Sequence, residues 1–83
     1  MPISLRRDSD KETTVYIGSL TLYFSYETIV AYDDTTDGLT VSENIWSVTT
    51  GKHLNNINSN KSIRLNYAEF TTKLEECLKR HNL

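Results

Sequence analysis

From Thr13 to Tyr32 the chain alternates apolar and polar residues, and this two-residue period constrains the fold more than any other feature. Val15 and Ile17 alternate with Thr14 and Tyr16, and Leu20, Leu22 and Phe24 alternate with Thr21, Tyr23 and Ser25. Successive side chains of a strand point to opposite faces, so such a run makes a half-buried strand. The β-branched and aromatic residues that dominate it suit a pleated surface. Gly18-Ser19 marks a turn or a bulge between the two runs, and Tyr26-Glu27 interrupts the pattern before Thr28–Tyr32 resumes it. Asp33-Asp34-Thr35-Thr36-Asp37-Gly38 reads as a polar hairpin loop closed by glycine. Beyond it Leu39, Val41 and Ile45 share one strand face and Thr40, Ser42, Asn44 and Trp46 the other, with Glu43 an interruption.

The period changes at Asn66. Asn66-Tyr67-Ala68-Glu69 has the spacing of a capping box, in which the Asn oxygen accepts from the third helical N–H. Tyr67, Phe70, Leu74, Cys77 and Leu78 then fall on one helical stripe. Glu69–Lys73, Glu75–Lys79 and Glu76–Arg80 are acid-first i,i+4 pairs, and Lys79, Arg80 and His81 suit the negative end of the helix dipole. Between strands and helix, Ser47 can cap a short turn over Thr49–Leu54. Gly51 weakens that turn by about 1 kcal/mol relative to Ala, so residues 47–54 read as a helical turn or a loop, and Asn55–Ser62 as a loop.

A chain of 83 residues makes one domain with a thin core. The expected class is α+β: an antiparallel sheet of three to four strands packed by one C-terminal amphipathic helix. Residues 1–12 read as a flexible arm or an edge strand, and residues 13–83 as the domain. One sheet face is expected under the helix and the other open, carrying Tyr16, Tyr23 and Trp46.

Several chemistries are excluded by what the chain lacks. No apolar run is long enough to span a membrane, and no apolar segment follows the N-terminal bases as a secretory signal requires. One cysteine forms no internal disulfide, which fits a reducing cytoplasm. Cys77 and His81 stand four apart, a ligand spacing, but Cys77 lies in the apolar stripe and reads as a buried thiol; no metal or cofactor is expected. Asp33, Asp34 and Asp37 lack the remaining ligands of an EF-hand loop, and Gly51-Lys52 lacks the first glycine and the hydroxyl of a phosphate loop. Thr49, Thr50 and His53 place hydroxyls near an imidazole with no orienting third group in sight, so no enzyme is expected.

Charge is uneven along the chain. The net charge is −2, yet residues 13–51 contain no Lys or Arg and hold Glu27, Asp33, Asp34, Asp37 and Glu43. Lys52, His53, Lys61 and Arg64 follow in a stretch free of acids and rich in Asn. That stretch suits a phosphate backbone, which makes nucleic-acid binding the alternative function, although the overall charge is acidic.

The runs Leu22–Tyr32 and Ser42–Asn55, above all Trp46-Ser47-Val48-Thr49-Thr50-Gly51-Lys52-His53-Leu54, resemble a small domain of unknown function found in short proteins of bacteriophages and their hosts. The resemblance spans about residues 14–75. It implies a phage or prophage origin and transfers no catalytic residue; by association of origin alone, it points to modulators of host proteins such as anti-CRISPR and other anti-defence inhibitors. The expected function is therefore a small non-enzymatic binding module acting on a host or phage protein in the host cytoplasm. Its expected contact residues are Trp46, Lys52 and His53, an aromatic beside two bases, and the acidic group Asp33, Asp34 and Asp37.

Overall fold

The computed structural model describes residues 3–7 and 11–83. Six strands form one sheet in sequence order: β1 (Ile3–Arg7), β2 (Glu12–Ile17), β3 (Leu20–Ser25), β4 (Thr28–Asp34), β5 (Gly38–Ser42) and β6 (Arg64–Leu65). Neighbours are antiparallel except β5 and β6, which are parallel. The connection that makes them parallel holds a helix, α1 (Val48–Ile57), and a 3-10 turn at Lys61–Ile63; α2 (Tyr67–Arg80) ends the fold. The class is α+β as expected, but the sheet is larger and mixed, and a second helix is present. Part of the N-terminal arm is the edge strand β1; residues 1–2 and 8–10 of it lie outside the described residues.

The alternating runs pair as their pattern requires. Val15 faces Leu22 and Leu22 faces Tyr32 across β2, β3 and β4, while Thr14, Tyr23 and Ala31 line up beside them on the other face. Gly18 sits in the β2–β3 turn at φ +59, a left-handed conformation glycine adopts without strain. One irregularity matters. The register shifts between Tyr23 and Phe24, whose partners are Ala31 and Ile29, so Val30 is an extra residue in β4. A bulge turns consecutive residues toward one side, and Val30 and Ala31 both join Val41 and Leu54 in a buried cluster.

That cluster overturns the expected open face. α1 covers it with Leu54, and Tyr23, Leu39, Trp46 and Ile57 pack around it. Tyr23 and Trp46 are thus partly buried, and Tyr16 alone of the three is exposed. The opposite face holds the larger core, in which Ile17, Leu20, Leu22 and Tyr32 meet Phe70 and Cys77 of α2. A sheet this small has helices on both faces because the bulge made the second face apolar enough to need one.

α1 replaces the short turn or loop read from residues 47–54 and extends to Ile57. Ser47 Oγ accepts from the Thr50 N–H at 3.2 Å, the expected cap. Gly51 is explained by proximity: a Cβ there would come within 2.9 Å of Asn44 Nδ2, which donates to the Ser47 carbonyl. α2 starts where the sequence placed it, with Asn66 Oδ1 accepting from the Glu69 N–H at 2.9 Å. Glu43 from the loop after β5 accepts from the Tyr67 N–H at 2.8 Å, a carboxylate at the positive end of the helix. Tyr67 itself leaves the apolar stripe and is exposed.

Asp33 and Asp34 belong to β4 rather than to a loop, and Asp34 ties β4 to the end of α2. Its side chain is 1% exposed. Oδ1 accepts from the N–H groups of Thr36 and Asp37, at 3.2 and 2.7 Å. Oδ2 accepts from Arg80 at 2.8 Å and from the Cys77 thiol at 3.3 Å, and lies 3.4 Å from His81 Nε2. Asp37 accepts from the Tyr32 hydroxyl at 2.6 Å and from Arg80 at 3.0 Å. Burial alone would raise the Asp34 carboxyl, but the Asp37 amide, Arg80 and the thiol outweigh it and hold it well below the usual range. Asp37 is lowered mainly by the Tyr32 hydroxyl, against burial and with help from Arg80.

Two outcomes follow for stability. Asn66→Ala removes the α2 cap and lowers unfolding free energy by about 1 kcal/mol, read as a fall in denaturant midpoint; an unchanged midpoint would mean that the cap contributes nothing. A depressed carboxyl contributes stability that is complete above its unfolded value, about 3.9 for Asp, and is lost as pH falls through that value toward the folded one. Circular dichroism during acid titration should therefore show unfolding set in below about pH 4. Asp34→Asn should lose about 2–3 kcal/mol at neutral pH and show a shallower acid limb; an acid limb as steep as in the parent chain would exclude Asp34 as its source.

Candidate protein-contact site

The N-terminal half of α1 stands between two open cavities. One, of about 310 Å³, is lined by Tyr26, Thr28, Val30, Trp46, Ser47 and Thr50, with Ser25 at its base. Tyr26 in its wall is 49% exposed, and Ile45 and Val48, which flank Trp46-Ser47 in the chain, are 50% and 79% exposed. Trp46 is held edge-on against Tyr67 with ring centroids 5.7 Å apart, so an aromatic pair joins the start of α2 to this wall. The Trp46 N–H donates to Asn44 Oδ1 at 3.0 Å, which fixes the backbone entering α1. Tyr26 has φ +56 in the two-residue β3–β4 turn. A bulky residue is costly in that region, and such conformations cluster where a side chain must be presented.

The second cavity, of about 320 Å³, is basic. Lys52, Lys61 and Arg64 line it together with Asn44, Asn55, Val48 and Gly51, and no carboxylate is among these described residues. Arg64 is positioned by Asn55 Oδ1, which accepts from its guanidinium at 2.8 Å. The Asn-rich segment is thus a frame for cations rather than an unstructured loop. Asn60 caps the 3-10 turn by accepting from the Ser62 N–H at 3.0 Å, and Asn58 accepts from the Asn60 N–H at 2.8 Å.

His53 lies beneath this surface. It is buried, with Nδ1 2.6 Å from Ser25 Oγ and Nε2 3.3 Å from Glu12 Oε1. A carboxylate only accepts, so in the neutral imidazole beside ionised Glu12 the proton is on Nε2, Nδ1 accepts from Ser25, and Ser25 accepts from Thr50 Oγ1 at 3.0 Å. The order Ser, His, Glu has the composition of a nucleophilic relay. Ser25, however, is 2% exposed and its hydroxyl is committed to both Thr50 and His53. The chain of hydrogen bonds fastens α1 to the β2–β3 hairpin, and the Tyr26 ring packs over it 5.9 Å from the imidazole.

The sequence-derived contact residues therefore separate. Trp46 and Lys52 flank α1 on its two sides, one at each cavity. His53 is an internal brace whose carboxylate partner is Glu12. Asp33 is half-buried within β4, and Asp34 and Asp37 are turned onto Arg80, so the three do not form an open acidic surface. Sequence reasoning missed Ser25 and Glu12 because both lie far from His53 along the chain. Their common signal is the hairpin register, in which Glu12 and Ser25 are directly opposite. It also missed Tyr26, which lay in a break of the alternation, and Val48.

Among the described residues no helix is long and apolar enough to cross a membrane. No curated protein and no solved structure matches the chain. The family of unknown function DUF8033 matches residues 3–72, which include the whole sheet, α1 and the first turn and a half of α2. By that match, the chain belongs to the DUF8033 family.

Proposed function

We propose that the protein is a non-enzymatic binding module that recognises an acidic segment of a protein partner. The observation that carries this reading is one cavity walled by exposed Tyr26 and half-buried Trp46, and a second across α1 where exposed Val48 stands among Lys52, Lys61 and Arg64. Apolar patches rimmed by polar groups are characteristic of contact surfaces, and a rigid tryptophan is the commonest energetic centre of one. An apolar side chain of the partner seats beside Trp46, while its carboxylates meet the three cations, which speed and orient encounter. Modulation of a host protein by a phage-related chain, the role that the sequence resemblance implies, belongs to this same proposal. The burial of Ser25 and His53 supports a binding role over a nucleophilic one.

Nucleic-acid binding is the second reading, and the cluster of Lys52, Lys61 and Arg64 with two asparagines is what favours it.

Trp46 is the only tryptophan, so its fluorescence reports on the site directly. In a screen of acidic peptides that each carry one aromatic or aliphatic residue, binders should shift its emission to the blue. Val48→Asp should weaken binding by about tenfold or more with an unchanged far-ultraviolet spectrum, and Lys52→Glu should slow association. Tight, steeply salt-dependent binding of labelled RNA or DNA that is lost in Lys52→Glu and unaffected by Tyr26→Asn would replace this reading with the second one.

A further inference from the structure

At the opposite end of the sheet from the Trp46 cavity, three different donor types converge. The ligating atoms of Asp34, Cys77 and His81 all lie within 4.8 Å of one another, with Oδ2 to Sγ at 3.3 Å and Oδ2 to Nε2 at 3.4 Å. Tetrahedral zinc holds sulfur at about 2.3 Å and nitrogen or carboxylate oxygen at about 2.0–2.1 Å. Those bond lengths place ligand atoms about 3.3–3.6 Å apart, close to the two contacts that Asp34 makes. Cys77 and His81 are one helical turn apart at the end of α2, and the far oxygen of Asp34 is pinned by the Thr36 and Asp37 amides. A ligand carboxylate oriented by hydrogen bonds on its other oxygen is the usual support of a metal site.

Charge points the same way. With His81 neutral, the cluster sets two carboxylates, Asp34 and Asp37, against the single Arg80 guanidinium, which bridges them at 2.8 and 3.0 Å. One negative charge is left over beside a side chain that is 1% exposed. Arg80 is 35% exposed and can release Asp34 while keeping Asp37.

We infer that Asp34, Cys77 and His81 form a binding site for a thiophilic divalent cation, zinc in the first instance, with water in the fourth position. On binding, the Cys77 S–H bond breaks, its electron pair forms the sulfur–metal bond and its proton passes to solvent. His81 ligates through the Nε2 lone pair and keeps its proton on Nδ1. Two positive charges then enter and one proton leaves, so the cluster goes from net −1 to neutral with no redox change. The convergence of a carboxylate, a thiol and an imidazole at ligand spacing, on a carboxylate pinned through its other oxygen, carries the inference.

Cobalt(II) titration of the reduced full-length protein tests this. The expected result is a saturable thiolate-to-cobalt charge-transfer band with the visible bands of a tetrahedral site, lost on addition of zinc. Cys77→Ser keeps a hydroxyl donor toward Asp34, so it should fold and yet lose the charge-transfer band. Arg80→Gln, which removes the competing cation, should tighten binding by about tenfold or more. Failure of the reduced, folded protein to develop the band overturns the proposal, as does a band that persists in Cys77→Ser or an affinity unchanged by Arg80→Gln.

Discussion

A carboxylate removed from water persists as an anion only where hydrogen bonds and an opposite charge replace its hydration. Asp34 has both, and the architecture around it follows from that requirement. The Thr36 and Asp37 amides can reach Oδ1 only because the chain turns tightly after β4, which starts β5 in antiparallel register. Cys77 and Arg80 can reach Oδ2 only if α2 runs the full length of its sheet face and ends at this corner. The cap at Asn66 and the anchor at Asp34 therefore fix the two ends of α2, and Phe70, Leu74 and Leu78 fill the space between. The Cys77 thiol, pushed up to about 12 by burial and by Asp34, stays protonated at neutral pH and remains a donor to that carboxylate.

The two faces of the sheet differ in how they are held. The α2 face depends on apolar side chains closed by a charged cluster at one end. The α1 face is thinner, and neutral hydrogen bonds take over part of the work: Ser47 to Thr50, Thr50 to Ser25, Ser25 to His53. Such a chain fixes the orientation of a helix more sharply than its few apolar contacts can, because each donor and acceptor is satisfied in one arrangement only. Orientation is what the proposed contact surface needs. Trp46 and Lys52 are kept on opposite sides of α1, and a rotation of the helix would move both.

The legible parts of the fold were those whose cause is local. Asn66 accepts from the Glu69 N–H, as the spacing of the two residues in the chain indicates, and the alternation from Thr14 to Phe24 lies within the strands that it implies. The rest depends on distant partners. α1 was hidden because Gly51, Asn55 and Asn56 lower helix propensity, while the energy that forms it comes from Leu54 against Val30, Ala31 and Val41. β6 is two residues long, and its pairing with β5 exists only after α1 has crossed the sheet. Within the candidate site, composition exposed Trp46 and Lys52. The burial of His53 followed from Glu12 and Ser25, which meet it only through the β2–β3 register.

Charge along a chain and charge over a surface are different quantities, and here they separate. In sequence, the acids of residues 33–37 stand apart from every cation and suggest an acidic face. In space, α2 returns to the sheet and lays Arg80 across Asp34 and Asp37, withdrawing the densest part of that face from solvent. Among the described residues, no carboxylate lines the cavity of Lys52, Lys61 and Arg64, which the crossover from β5 to β6 carries to the α1 face. Lys52, Lys61 and Arg64 therefore form a local basic patch on a chain whose net charge is −2. In the proposed reading that patch, rather than the acids of residues 33–37, meets the partner.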